Sequence, residues 1–125
     1  MGVLYSSIIR ERYRHPRRYG EISDPDAIFE DVNPLCGDRI RMTLSLTDGL
    51  VDDARFTGDS CAICAASADL LAELVTGRKL SEAENVATED LLRLLDADIR
   101  PTRMKCVTLP LHVLKSALAQ AGVRA

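Results

Sequence analysis

A chain of 125 residues, 46% hydrophobic and 28% charged, is long enough for one domain spanning residues 1–125 that buries roughly two-thirds of its unfolded surface, so it needs no disulfide staple. A net charge of −3 excludes general affinity for nucleic acid, and charges interrupt every apolar run well short of the roughly 20 residues a membrane span requires. Met1 to Tyr5 lacks the plan of a signal peptide, so a cytoplasmic location is expected. In that reducing compartment, four cysteines read as thiols for metal binding or catalysis.

Leu4, Ile8 and Ile9 at helical spacing predict a short amphipathic helix over residues 4–14. His15-Pro16 ends it, because the residue before a proline is pushed out of the helical region. Arg10, Arg12, Arg14, Arg17 and Arg18 crowd this stretch and Asp24, Asp26, Glu30 and Asp31 follow; we read the run as a solvated helix end and loop rather than a docking surface. Ala27-Ile28-Phe29 offers an edge strand before Asn33-Pro34 breaks the chain direction. Arg39 through Leu46 alternates polar and apolar residues, the period of a strand with one buried face. Asp48-Gly49 tolerates positive φ at both turn positions, so Leu50 to Phe56 returns as its hairpin partner, with Cys36 and Asp38 at the hairpin's mouth.

Asp59 or Ser60 caps the next helix, with Cys61 in its first turn. Its buried stripe of Ile63, Ser67, Leu70 and Leu74, with Cys64, Leu71 and Val75, runs until Gly77. Ser81 begins a short helix, and Thr88-Glu89-Asp90 caps another through Leu95. The last helix carries Leu109, Leu111, Leu114 and Leu118, with Thr108 as cap and Pro110 in the first turn, and it ends near Gly122. Cys106 falls just before it.

Cys36, Cys61 and Cys106 therefore stand at the edges of three separate elements, and only the fold can bring them together, which a soft-metal or sulfur-handling site requires. Asp38 sets a carboxylate beside Cys36, and Gly37 permits the tight backbone that points both inward. Three sulfurs and one oxygen complete a tetrahedral shell for Zn²⁺ or an iron–sulfur edge, and the harder oxygen ligand makes the hold on iron more labile. A thiolate at a helix start gains from unpaired amides, so Cys61 and Cys106 both qualify. With Arg103 and Lys105 close by, Cys106 is expected to have a lowered thiol pKa, suiting metal ligation and attack on a persulfide. Cys61-Ala62-Ile63-Cys64 is also a C-x-x-C, a weak dithiol signal without a strand–helix series around it; Cys64 reads better as a small apolar residue. His15 and His112 read as structural or exposed.

These residues resemble the NifU/IscU/SufU family of iron–sulfur cluster assembly scaffolds over nearly the whole chain. Tyr5 through Gly20, with Tyr13, Pro16-Arg17 and Gly20, is similar to the family's opening helix and turn. Asn33-Pro34-Leu35-Cys36-Gly37-Asp38 resembles its first ligand motif, Asp48-Gly49 and Asp53-Ala54-Arg55-Phe56 the following hairpin, Ser60-Cys61 with Ala65-Ala66-Ser67-Ala68 the second motif, and Lys105-Cys106 the third. The resemblance implies an α+β fold of the SufE/NifU type, a small antiparallel three-stranded sheet with helices packed on one face, and a site of Cys36, Asp38, Cys61 and Cys106 at an exposed tip. It also implies a role: a cysteine desulfurase delivers persulfide sulfur, with Cys106 and Cys36 as candidate acceptors. Iron binds, a [2Fe-2S] cluster is assembled, and the cluster passes to acceptor apo-proteins.

Departures from the family pattern point in two directions. Lys105 stands where the IscU-type branch has a histidine ligand, and Ile99-Arg100-Pro101-Thr102-Arg103 where that branch has its chaperone motif, which speaks against a dedicated chaperone as partner. Only 44 residues separate Cys61 from Cys106, so the insertion of the SufU-type branch is missing. Ser60 replaces the usual glycine, and Cys64 is an extra thiol. The scaffold reading leads; the alternative is a SufU-like sulfur shuttle with Zn²⁺ on the same four ligands, a sulfurtransferase. A structural zinc domain fits less well, because such sites are usually closed by Cys and His.

Overall fold

The computed structural model describes residues 6–124. Leu4, expected in the first helix, and Tyr5, part of the resemblance, lie outside the described residues. Helix α1 (Ser7–Arg14) leads to strands β1 (Ala27–Val32), β2 (Arg39–Thr47) and β3 (Leu50–Asp59). Helices α2 (Ala62–Val75), α3 (Leu80–Ala83) and α4 (Thr88–Leu95) follow, and a 3₁₀ turn (Pro101–Arg103) runs into α5 (Met104–Arg124). The fold is α+β: an antiparallel three-stranded sheet in the order β1-β2-β3, with α5 across β1 and β2 and α2 against β3.

The alternation legible in β2 is the one the structure uses. Ile40, Met42 and Leu44 are fully buried, and they meet Ile63, Leu71 and Leu114 in one core. Asp48 and Gly49 take φ of 52° and 78°, the conformation a tight right-twisting hairpin demands, and strand β3 returns past Phe56 to Asp59. Ser45 pairs Asp53 while Leu46 pairs Val51, so Asp52 is an extra residue in β3. This bulge turns Val51, Ala54 and Phe56 to the core despite their uneven spacing. Residues 18–20 pair with the free edge of β3, the Gly20 amide donating to the Phe56 carbonyl at 2.8 Å and the Phe56 amide to the Arg18 carbonyl at 3.0 Å.

The basic stretch is solvated as expected at Arg10, Arg14 and Arg17, but not at Arg12. Arg12 lies three residues past the buried Ile9 and shares its face of α1, so its guanidinium enters the protein, donating to Asp69 Oδ2 and to Glu73 Oε1, each at 2.8 Å. The other oxygen of Asp69 accepts the amides of Arg17 at 2.9 Å and Arg18 at 2.7 Å, fastening the turn after α1 onto α2. A buried cation without partners would be prohibitive; two carboxylates from one helix face resolve it.

The last helix also differs from expectation. It starts at Met104, with Cys106 already in its first turn and Pro110 inside it. Pro101 opens the preceding 3₁₀ turn and starts the helical path early. Pro110 brings no N–H to the carbonyl of Cys106, a loss tolerated because Val107, Val113 and Leu114 are fully buried and packing decides the element.

Candidate metal and sulfur site

Three junctions of the fold meet at one end of the sheet. The first is the β1–β2 loop. The Asn33 amide donates to the Asp38 carbonyl at 2.8 Å and the Gly37 amide to the Asn33 carbonyl at 2.7 Å, and Asn33 Oδ1 accepts the Leu35 amide at 3.1 Å. Gly37 has φ +79°, which a side chain would resist. The loop turns Leu35 and Cys36 to solvent and Asp38 inward, where it is 6% exposed.

The second junction joins β3 to α2. Cys61 was expected in the first turn behind an Asp59 or Ser60 cap; it is itself the N-cap, with its Sγ accepting the Cys64 amide at 3.4 Å. A sulfur can take the place of a serine oxygen because a helix start needs only an acceptor. The third is the first turn of α5, which carries the buried Cys106.

Asp38 links all three. Its Oδ1 accepts the Cys61 amide at 3.0 Å, and its Oδ2 accepts from the thiols of Cys36 at 3.3 Å and Cys106 at 3.7 Å. One donor atom each of Asp38, Cys61 and Cys106 lies within 4.8 Å of the other two. Around a zinc ion, thiolates at about 2.3 Å would stand about 3.8 Å apart, so closing on a metal asks for less than about 1 Å of movement. Cys36 stands at the rim on the loop, outside that set of three but against the shared carboxylate. Among the other residues considered from sequence, His15 is exposed, and His112 pairs with Asp31 at 3.2 Å; neither belongs to that set of three.

Arg103 has a larger place here than its sequence position suggests. Its guanidinium lies beside both Cys106 and Cys61, and their thiol groups raise its pKa. The spacing to Cys106 flagged it; nothing in the spacing could show that it reaches Cys61.

The expectation of a lowered Cys106 pKa is overturned. Burial pushes this thiol up from 9.0 to about 11, against the opposing hydrogen bond from Arg103. Charge neighbours are visible in a sequence, but depth is not, and here depth wins. Cys64 is pushed up further still, first by burial and then by Asp38 and Cys61; it is fully buried in the core as its apolar reading anticipated. The sign for stability follows. Between pH 9 and about 11 the folded chain keeps the Cys106 proton that the unfolded chain releases, so the metal-free protein loses stability as pH rises through that window. Urea midpoints measured from pH 8 to 11 check this, and a flat profile would contradict it. Metal binding must displace that proton, so metal affinity should rise with pH over the same range.

A model of the NifU-like N terminal domain matches residues 4–124. The "Zinc-dependent sulfurtransferase SufU" of Bacillus subtilis is 29% identical, covering 96% of this chain and 92% of its own. The "Iron-sulfur cluster assembly scaffold protein IscU" of Thermotoga maritima is 34% identical, covering 93% of each. Among solved structures, a chain from Fervidobacterium islandicum, assigned as a scaffold for the SUF system, superposes with a TM-score of 0.79 at 26% identity, over 92% of this chain and 96% of that one.

Proposed function

The chain belongs to the NifU-like N-terminal domain family, and we propose that it is an iron–sulfur cluster assembly scaffold, with Cys36, Asp38, Cys61 and Cys106 as the residues that hold its cargo. In this reading a cysteine desulfurase delivers sulfane sulfur, iron enters as substrate, and a [2Fe-2S] cluster passes on to acceptor apo-proteins. The observation that carries it is the meeting of Asp38, Cys61 and Cys106 donor atoms within 4.8 Å from three separate elements, with a fourth donor, Cys36, exposed beside them. That division of labour suits the task. An exposed thiol can meet a persulfide carried by another protein, while Cys106 and Asp38, both nearly buried, keep water from the bound product. Of the two candidate persulfide acceptors, Cys36 has the access and Cys106 does not, which makes Cys36 the first to receive sulfur. No helix among the described residues is long and apolar enough to cross a membrane.

The second reading is a zinc-bound sulfur shuttle. It is favoured by the relationship to the B. subtilis protein and by the Lys105-Cys106 pair. Zinc would sit on the same four residues, and its binding would take the proton from the buried Cys106 thiol. Anaerobic purification followed by metal and acid-labile sulfide analysis tests the two readings. Iron with sulfide supports the scaffold, and stoichiometric zinc without sulfide replaces it by the shuttle. Under either reading Asp38→Ala should loosen the metal by at least about tenfold, measured by competition with a chromogenic chelator. An unchanged affinity would remove Asp38 from the ligand set.

A further inference from the structure

One of the four thiols has no part in that reading. Cys64 lies one helical turn beyond Cys61, fully buried beneath it, and its amide already donates to Cys61 Sγ at 3.4 Å. Side chains in a first turn lean back toward the helix N-terminus, so the Cys64 sulfur is directed at the cap residue, Cys61. Cys61 by contrast is partly exposed and reachable from the site. A C-x-x-C across a helix start, an accessible first sulfur and a buried second one make up the working arrangement of dithiol reductants, in which the buried thiol resolves whatever the first has bonded.

We propose that Cys64 is an internal reductant of sulfane sulfur: once Cys61 carries a persulfide, Cys64 attacks its inner sulfur, sulfide departs, and a Cys61–Cys64 disulfide remains. This rests on the reading of the site as one that receives sulfur from a desulfurase. The step balances without an outside electron source. The new bond joins Cys64 Sγ to Cys61 Sγ, the bond from Cys61 Sγ to the outer sulfur breaks, and the proton of the Cys64 thiol leaves with the sulfide. The outer sulfur is reduced by two electrons relative to the sulfane state, and the two cysteine sulfurs are oxidised to the disulfide. Sulfur received on Cys36 reaches Cys61 by one earlier displacement, in which Cys61 takes the outer sulfur and Cys36 is restored as a thiol. A second round requires an external dithiol to reopen the disulfide. Burial of Cys64 gives selectivity, because solvent oxidants do not reach it while a sulfur seated on Cys61 does. A cluster needs sulfide rather than sulfane sulfur, so the pair performs a reduction that cluster assembly requires.

The test loads the purified full chain with a cysteine desulfurase and L-cysteine, desalts it into thiol-free buffer, and follows free sulfide and intact mass. Wild-type protein should release about one sulfide per loaded persulfide, and non-reducing peptide mapping should find Cys61 joined to Cys64. Cys64→Ala and the better-filling Cys64→Val should keep the added sulfur, releasing sulfide at least about tenfold more slowly until a dithiol is added. Release from both variants at the wild-type rate, or a wild-type chain that keeps its persulfide and shows no such disulfide, overturns the proposal and leaves the assembly function standing. Variants and wild type that all fail to acquire sulfur overturn both. The wild-type peptide map decides even if the substitutions disturb the core.

Discussion

Gly58→Ala should cost on the order of 3 kcal/mol or more, lower the melting temperature by roughly 10 °C, and weaken metal binding at the proposed site. Gly58 sits in β3 opposite Ile40, where a Cβ would fall 2.0 Å from the Arg39 carbonyl oxygen and 3.2 Å from the Ile40 Cα. Both are backbone atoms of the neighbouring strand, so no rotamer change can make room. The two strands must separate at the end that matters most. Arg39 follows Asp38, and Cys61 comes three residues after Gly58, so the blocked pair is the hinge that sets the Asp38 carboxylate 3.0 Å from the Cys61 amide. The requirement is for close approach rather than unusual backbone. Thermal melts with chelator competition on the same samples check it. An alanine variant that melts with the wild type and holds metal as tightly would refute the account.

What the sequence made legible, and what it hid, divides along one physical line. Features that depend on neighbours in the chain could be read: the alternation of β2, the Asp48-Gly49 turn, and the apolar stripe of α2. Features that depend on depth or on distant partners could not. Arg12 looked like one more surface cation because its two carboxylate partners stand 57 and 61 residues away. Cys106 looked activated because Arg103 and Lys105 are adjacent, whereas its burial is set by core residues on other elements. Pro110 suits the first turn of a helix capped by Thr108, yet the helix begins at Met104 and packing carries it through the proline. Cys61 as its own helix cap lay between the two cases. Its position was visible, but a preference for oxygen acceptors pointed to Asp59 or Ser60 instead.

Asp69→Ala is expected to be comparably severe, at about 3–5 kcal/mol, because it leaves a buried cation and two amides without their shared acceptor. Asp69 is fully buried, with Arg12 on one oxygen and the amides of Arg17 and Arg18 on the other. Total stability for domains of this kind is about 5–15 kcal/mol, so the loss takes a large share of it. The graded comparison identifies the cause. Asp69→Asn keeps an oxygen for the two amides and should cost less, while Arg12→Met leaves the buried carboxylate with both amides but no cation and should cost about as much as Asp69→Ala. The loss should also spread to a second place. The segment fastened by Asp69 goes on to cover the β3 edge through Arg18 and Gly20, so the Phe56 amide should exchange with solvent faster in Asp69→Ala by more than global destabilisation alone predicts. Phe56 stands two residues before Gly58 on the strand that leads to Cys61, which connects α1 at one end of the chain to the order of the sulfur site. Exchange at Phe56 that merely tracks the global unfolding free energy would show that the strap stabilises the fold without ordering that strand.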